Sequence, residues 1–414
     1  MAYCPYCGAA EQAGRYCAIC GRALPPLSVV ALTTPAKQGW LRLIQRVFLG
    51  GAATLITLCV LLVVVASVGN GAALALATVL SIAPTIGYGW LVLRLDRYEA
   101  EPAKALAASF LWGAIGAVGV AIFLELVLQI SVRSMVLEYA VNAPLIEESA
   151  KGVALLAILV FYRHELDNVL DGVVYGALIG LGFATTENIL YLGSTYVEFG
   201  GLALTQLFIA RAVLGGFGHA AYTAMTGAAI GWAREQHGKG VWRFIVPVLG
   251  WAAAVALHAL WNGGSLALAA ALGDGASPLL VVFVLAVAII APATVVILVV
   301  ARLVTRRELA VIRAELAPEV ERGTLTPQEY EMLGRDDLRG QTLRAANARG
   351  GRRLRRLQDR FLQVASNLAF RRYHLDRGEP LKPGQEAEEA LYRQELARLR
   401  DELAAPPVMN VAQR

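Results

Sequence analysis

Two adjacent carboxylates and a lysine interrupt a hydrophobic stretch of the chain, as Glu147, Glu148 and Lys151. An ionisable side chain at the centre of a membrane costs about 3 kcal/mol on insertion scales, so three within one helical turn require a function or a tight internal pairing. On a helix, Lys151 follows Glu147 by four residues and Glu148 by three, and it can neutralise one of the two carboxylates. We expect the other carboxylate to do chemistry, and we assign Glu147 as a general base.

Further polar side chains occur in the three apolar stretches that follow. Glu187 lies one helical turn after Phe183, and His219 follows a run of glycines. His258 and Asn262 share one helix face at i,i+4 spacing. Because consecutive membrane helices alternate in direction, all these groups fall at similar depth, in the outer half of the membrane or near its middle. Each one alone could form a hydrogen bond between helices worth about 1 kcal/mol. The whole set favours one functional cavity that opens to the external side.

This set of side chains suits the activation of water at a carbonyl carbon. A buried carboxylate such as Glu147 can act as general base with a histidine as its partner, and the Asn262 amide can hydrogen-bond the developing oxyanion. Alternatively, His219, His258 and one glutamate can hold a catalytic zinc with an open position for water. The residue types fit both mechanisms. In either one, we expect Glu148 and the neighbouring lysine to orient the first turn of the helix and balance its charge.

The composition is that of a polytopic membrane protein. The 414 residues are 57% hydrophobic and only 17% charged, well away from the balance of a soluble domain. A transmembrane helix needs about 20 apolar residues, and eight stretches reach that length. They lie at 48–69, 72–93, 105–130, 143–162, 170–192, 203–231, 243–268 and 278–303. We therefore predict an all-α bundle of about eight transmembrane spans, embedded in the lipid bilayer of the cell membrane.

Basic residues are distributed unevenly between the predicted loops. The loops on one side carry Arg94, Arg97, Lys104, Arg163, Arg234, Lys239 and Arg243, whereas those on the other side carry only Arg133. The positive-inside rule assigns the first side to the cytoplasm, and the even number of spans then places both termini there. The net charge of +5 is a property of these juxtamembrane regions and of the tails, so it does not indicate a nucleic-acid partner.

Two CxxC pairs lie near the N-terminus, at Cys4 and Cys7 and at Cys17 and Cys20. Four thiolates at this spacing are typical of a structural zinc site, and the pattern resembles small zinc-ribbon domains of prokaryotic proteins. Two disulfides are the alternative, disfavoured because the predicted topology places this end in the reducing cytoplasm. A ribbon over residues 1–24 cannot bury a core, so zinc must supply its folding energy. It could recruit a cytoplasmic protein partner.

The rest of the chain divides into three parts. Residues 25–47 form a proline-containing linker with a basic and aromatic juxtamembrane anchor, and residues 48–304 form the membrane domain that holds the polar set. Residues 305–414 form a highly charged cytoplasmic tail, with helices predicted at 341–375 and 385–404. The tail contains no catalytic arrangement of residues.

Several separate motifs of the membrane domain resemble those of one known family, in order along residues 75–300. They are Glu147-Glu148-Ser-Ala-Lys151, Phe183-Ala-Thr-Thr-Glu187-Asn188, Arg211 with the Gly-His219 segment, His258-Ala-Leu-Trp261-Asn262, and Asp96-Arg97-Tyr98-Glu99-Ala-Glu101-Pro102. This pattern is similar to that of the PrsW-type intramembrane proteases, which are related to the CAAX prenyl endopeptidases. In the CAAX-type relatives the second motif carries histidine where this chain has Glu187.

The resemblance implies hydrolysis of a peptide bond in a transmembrane protein substrate. Proteins of the PrsW type are associated with the first cut in a transmembrane anti-sigma factor, made on its external side. Members are usually described as metalloproteases, whereas the CAAX-type relatives use a glutamate and a histidine without a metal. The zinc ribbon and the charged tail lie outside the resemblance.

Two other functions are compatible with the residues alone. The polar set could bind a ligand or another membrane span in a non-catalytic sensor or scaffold, which would use the zinc ribbon for recruitment. The acids could also form a proton relay in a transporter, although the sequence shows no repeated halves with matching broken helices. Signatures of other intramembrane protease designs, namely HExxH, GxSxG and GxGD, do not occur.

Overall fold

The computed structural model describes residue 54 and residues 56–95, 98, 101–129, 134–161, 166–236, 240–273, 277–376 and 388–404. Every regular element in these ranges is a helix, so the predicted all-α class is confirmed. The predicted zinc ribbon, with Cys4, Cys7, Cys17 and Cys20, lies outside the described residues, as does the linker that follows it.

Helices occupy all the predicted apolar stretches within the described ranges. They are α1 (Ile56–Val68), α2 (Gly71–Leu93), α3 (Ala103–Leu111, Trp112–Ala117 and Val118–Gln129), α4 (Met135–Leu137, Glu138–Asn142 and Ala143–Phe161), α5 (Val169–Phe208), α6 (Gly218–Glu235), α7 (Trp242–Leu272) and α8 (Pro278–Leu285, Ala286–Ile290 and Ala291–Glu321). The middle segments of α3, α4 and α8 are wider, π-helical turns. A further π-helical segment, Ile209–Leu214, continues α5.

Five segments of the described chain are long and apolar enough to cross a membrane. They are Gly71–Leu93, Ala103–Val127, Val169–Glu235, Trp242–Leu272 and Pro278–Glu321, and the third contains both α5 and α6. Many large apolar side chains point outward, among them Leu62, Val79 and Leu202, as expected of a surface that faces lipid. The protein is therefore a multi-pass membrane protein, and the count of eight spans stays a prediction.

α5 is the central helix of the membrane domain, with residues 170–186 almost entirely buried. It packs antiparallel against α6 at a distance that only glycine permits. A Cβ on Gly172 would lie 2.0 Å from the carbonyl oxygen of Gly227, and one on Gly180 would lie 2.2 Å from that of His219. This close backbone approach brings the later part of α5, which carries Glu187, next to the start of α6.

α4 begins earlier than the sequence predicts. The chain is helical from Met135 onward, and a π-helical segment, Glu138–Asn142, leads into Ala143–Phe161. That wider turn ends just before Pro144, whose ring and missing N–H do not fit a regular α-helical turn. Glu147 and Glu148 therefore do not open the helix, and the expectation that they lie in its first turn is wrong.

The sixth predicted span, 203–231, is interrupted. Its first part belongs to α5 beyond a bend at Gly200, which has a positive φ of 78° that favours glycine. The chain then turns at residues 215–217, where a Cβ on Gly216 would lie 2.2 Å from the carbonyl oxygen of Ala212. α6 starts only after this turn, and His219 consequently lies in its first turn.

The C-terminal residues form a packed helical unit. α8 continues beyond the predicted span 278–303 into this unit, and α9 (Pro327–Leu333), α10 (Asp336–Asp376) and α11 (Glu388–Ala404) complete it. Its core includes Ile312, Leu316, Leu333, Phe361, Leu362, Leu368, Leu396 and Leu399. Tyr98, from the segment between α2 and α3, is buried in the same core. The two predicted tail helices correspond to parts of α10 and α11, and the chain breaks α10 at Gly350 and Gly351.

Candidate active site

Lys151 is completely buried between the two carboxylates of α4. Its Nζ donates to Oε2 of Glu147 over 3.2 Å and to Oε1 of Glu148 over 2.8 Å. It also lies 3.8 Å from the ring centroid of Phe183, in a cation–π contact. The expectation that the lysine pairs with one carboxylate and leaves the other without a partner is wrong, because its flexible side chain reaches both acids from one helical turn away.

Glu148 is held on both of its oxygens. Oε1 accepts from Lys151 and lies 3.2 Å from Nδ1 of His258, while Oε2 accepts from Oγ1 of Thr223 over 2.9 Å. The residue is 1% exposed and is not among those that line the cavity described below. These contacts are those of a group that orients its neighbours.

Glu147 faces two imidazoles. Its Oε2 lies 3.9 Å from Nδ1 of His219 and 4.0 Å from Nε2 of His258. Each histidine has its other nitrogen against a different carboxylate, since Nδ1 of His258 meets Glu148 and Nε2 of His219 lies 2.9 Å from Oε2 of Glu187. A carboxylate on one ring nitrogen fixes the tautomer and orientation of the ring. The remaining nitrogen of each ring lies near the carboxylate of Glu147 but beyond hydrogen-bond distance, and Nδ1 of His219 is closer to Nζ of Lys151, at 2.9 Å.

Glu187 is paired with Arg211. Nη2 of Arg211 lies 2.7 Å from Oε2 of Glu187, and its Nε donates to Oδ1 of Asn188 over 2.9 Å. The guanidinium carbon is 4.2 Å from the ring centroid of Tyr191. Since a lone acid is costly at membrane depth, this pairing explains how Glu187 is tolerated, and its contact with His219 places it in a supporting position.

Five of the six predicted site residues line one cavity of about 490 Å³. They are Glu147, Glu187, His219, His258 and Asn262. The sixth, Glu148, lies behind His258, as its hydrogen bond shows. The Asn262 side chain donates from Nδ2 to the carbonyl oxygen of Tyr139 over 3.0 Å, and the amide has a second N–H. The structure therefore brings the predicted residues together around a space of the size of a ligand site.

Other residues of this cavity were not assigned a role from the sequence. They include Glu125, Glu138, Tyr139, Tyr191 and Tyr222. Thr223, which fixes Glu148, was missed as well. A spacing signal exists for three of them, because Tyr222 and Thr223 follow His219 by three and four residues and Tyr191 follows Glu187 by four, so each shares a helix face with a predicted site residue. For Glu125, Glu138 and Tyr139, no such spacing relates them to the site.

The donor set at the centre fits a catalytic metal. Glu147, His219 and His258 offer three ligand atoms within 4.8 Å of one another, and two imidazoles with one carboxylate are a known protein ligand set for catalytic zinc. The second carboxylate on each histidine matches the outer-shell pattern of such sites. Lys151 competes for this position, since its Nζ lies 2.9 Å from Nδ1 of His219. Zinc binding would require the ammonium to release that nitrogen.

The residues of this site lie within the part of the chain that matches one known protein family. Residues 101–292 match the family described as "PrsW family intramembrane metalloprotease". Among curated relatives, "Protease PrsW" of Geobacillus kaustophilus (strain HTA426) is 37% identical over 141 residues, which are 34% of this chain and 58% of the relative. "Protease PrsW" of Clostridioides difficile (strain 630) is 35% identical over 133 residues, 31% of this chain and 53% of the relative.

A third relative is matched over a larger share of its own length. "Protease PrsW" of Oceanobacillus iheyensis is 28% identical over 158 residues, 37% of this chain and 68% of the relative. The chain thus spans little more than half the length of the first two curated relatives. No solved structure matches the chain.

Proposed function

We propose that this chain, whose residues 101–292 form a PrsW protease-family domain, is an intramembrane endopeptidase that cuts a transmembrane protein substrate. The observation that carries the proposal is the arrangement around Glu147. Its carboxylate lines a cavity in the membrane domain and faces two histidines, each of which has a second carboxylate on its other nitrogen. A polar residue that only joins two helices needs one hydrogen bond. Here the carboxylate of Glu147 and one nitrogen of each histidine lie within 4.8 Å of one another.

The chain's own residues can carry out the hydrolysis in two balanced steps. A water molecule in the cavity gives one proton to Glu147 as its oxygen bonds to the carbonyl carbon of the peptide, and the carbonyl oxygen takes the negative charge. As the carbon–nitrogen bond breaks, the leaving nitrogen takes the proton from Glu147. The second N–H of Asn262 donates to the oxyanion between the steps. His258, held by Glu148, keeps the carboxylate and the water in position.

A catalytic zinc fits the same residues. Glu147, His219 and His258 would hold it, with Glu148 and Glu187 orienting the two histidines. Zinc bound there would polarise the peptide carbonyl and lower the pKa of a bound water. Without zinc, the buried ammonium of Lys151 supplies the positive charge beside Glu147 and His219.

The predicted topology indicates where the substrate is cut and which class of protein it belongs to. With both termini in the cytoplasm, the cavity lies in the outer half of the membrane, and cleavage occurs near the external side of a membrane span. A transmembrane anti-sigma factor is a substrate of this kind. The ribbon of residues 1–24 would bind structural zinc through Cys4, Cys7, Cys17 and Cys20 and offer a site for a cytoplasmic partner.

The test is cleavage of a synthetic transmembrane peptide by the purified full-length protein in detergent. Glu147→Gln keeps the size of the side chain and removes its basicity, and we expect it to abolish cleavage with the fold retained. Glu198→Gln, an exposed position on α5 outside the cavity, is the matched control and should cleave normally. A Glu147→Gln variant that cuts at the wild-type rate would sink the proposal and favour a non-catalytic scaffold.

A further inference from the structure

Tyr222 is a buried residue of the cavity whose hydroxyl is left without a hydrogen bond. The side chain is 1% exposed and lines the cavity. Among the described residues, no protein atom forms a hydrogen bond with its hydroxyl oxygen. A buried hydroxyl without a partner costs about 1–3 kcal/mol, which phenylalanine at this position would avoid. We therefore expect this hydroxyl to form a hydrogen bond with a group that enters the cavity.

The ring of Tyr222 is fixed by the two histidines of the site. It stacks on His258 with centroids 5.2 Å apart and an interplanar angle of 23°, and it meets His219 edge-on at 6.1 Å. A Cβ added to Gly218 would lie 3.2 Å from the hydroxyl oxygen, so the glycine leaves space beside it. The hydroxyl is held in place before any substrate binds, which is the property required of a donor that stabilises developing charge.

Asn262 and Tyr222 border the same histidine from different helices. Asn262 lies one turn beyond His258 on α7, and one of its N–H groups is already used by the carbonyl oxygen of Tyr139. Tyr222 lies on α6, against the face of the His258 ring. A single remaining N–H is a weak oxyanion site, and a second donor from the opposite helix would complete it.

We propose that the Tyr222 hydroxyl donates a hydrogen bond to the carbonyl oxygen of the scissile peptide as that oxygen becomes an oxyanion. The proton stays on Tyr222 throughout, so the water and proton balance of the hydrolysis is unchanged. This inference rests on the proposed protease function. It adds a catalytic residue that the sequence motifs do not contain.

The experiment is steady-state cleavage of the synthetic transmembrane peptide by the full-length wild type and Tyr222→Phe. Phenylalanine keeps the ring stacking and removes only the hydroxyl. Loss of one oxyanion donor costs about 10²–10³ in kcat. We expect a fall of this size, with KM unchanged and a thermal unfolding temperature equal to or higher than that of wild type, because the variant removes an unpartnered buried hydroxyl. Tyr175→Phe is the contrasting control, because its buried hydroxyl bonds to Glu101 and its loss should lower stability and leave kcat unchanged.

A second measurement separates transition-state binding from packing. A peptide trifluoromethyl ketone hydrates to a tetrahedral diol, and Tyr222→Phe should weaken its binding by about the factor lost in kcat, with the parent peptide bound equally well. If Tyr222→Phe turns over like wild type while Glu147→Gln does not, this inference fails and the protease function stands. If wild type cuts no peptide and binds the ketone no more tightly than the parent peptide, both fail.

Discussion

Nδ1 of His258 lies 3.2 Å from Oε1 of Glu148, and this contact leaves Nε2 of the same ring directed at Glu147. The two adjacent glutamates of α4 therefore have different positions relative to one histidine. Glu148 holds the ring from behind and is shielded from the cavity, whereas Glu147 lies on the cavity side. Glu148 is thus the supporting carboxylate and Glu147 the reacting one.

Glu148→Gln should lower kcat about 10–100-fold, the range found when a supporting partner of a site histidine is lost. The amide is uncharged and can present an N–H where the carboxylate accepts from His258, which disturbs the tautomer of the ring. Measuring kcat and KM across pH checks this, because a change in which ring nitrogen of His258 carries the proton alters the pH profile as well as the rate. Wild-type kinetics at every pH would show that Glu148 does not orient the histidine.

Lys151→Met should destabilise the membrane domain by about 3–5 kcal/mol, because it leaves two buried carboxylates without their shared cation. The measurement is thermal unfolding of the purified protein in detergent. Adding Glu148→Gln removes one of the stranded charges, so the double variant should be more stable than Lys151→Met alone. Additive losses in the double variant would mean that the two side chains are not coupled.

Zinc content should separate the two mechanisms that the site allows. In the metal mechanism, His258→Ala loses one zinc per chain by elemental analysis, together with cleavage activity. Cys4→Ser should lose the ribbon zinc and keep the one in the membrane domain, which makes it the matched control. Full cleavage by a chelator-treated protein that contains no zinc would instead assign the reaction to Glu147 and the histidines alone.

Tyr98→Ala should release the C-terminal helical unit from the membrane domain. Tyr98 is 1% exposed, its hydroxyl donates to Asp336, and the guanidinium of Arg339 lies 4.6 Å from its ring centroid. Truncating a buried aromatic side chain costs about 3–5 kcal/mol. Limited trypsin digestion should then cut α10 faster than in wild type. Tyr196→Ala, at an exposed site on α5, should digest as wild type does, and equal rates for all three proteins would contradict the docking role.

Glu319 should make the C-terminal unit sensitive to acid. Burial alone would raise the pKa of its carboxyl, but hydrogen bonds from Arg393 and Arg322 and the charge of Arg393 hold the pKa at about 2. The ordinary value is 4.5, so the folded state favours the ionised form. Its stabilising contribution is complete above about pH 4.5 and is lost as the pH falls through about 2.

Glu319→Gln measures this contribution, because its amide does not titrate. The difference in thermal unfolding temperature between wild type and Glu319→Gln should be largest above pH 5 and should shrink steadily toward pH 2. Glu321→Gln, in the same turn of α8, is the control. A difference that stays constant with pH would show that the Glu319 carboxyl does not stabilise the fold by its charge.

The sequence by itself determined the helical class, the membrane location and the identity of the polar residues. These are local properties, since hydropathy over about 20 residues predicts a span and charged groups inside a span are rare enough to mark a site. Helical spacing also placed His258 and Asn262 on one face, and both line the cavity. The chemistry of the set limited the function to water activation, ligand binding or proton transfer.

Only the tertiary structure decided which groups meet. Lys151 bridges two acids, Glu187 contacts both Arg211 and His219, and the Tyr222 ring lies on a histidine of another helix. The last two contacts join residues distant in sequence. The contact of Glu187 with His219 depends on the close packing of α5 and α6 through their glycines, and that of Tyr222 with His258 depends on the packing of α6 against α7. The burial of Tyr98 by the C-terminal helices depends likewise on how separate helices pack. Helical spacing indicated that Lys151 could reach its acids, but hydropathy and spacing carry no information about contacts between helices, because rotamers and interhelical distances are fixed only when the helices are assembled.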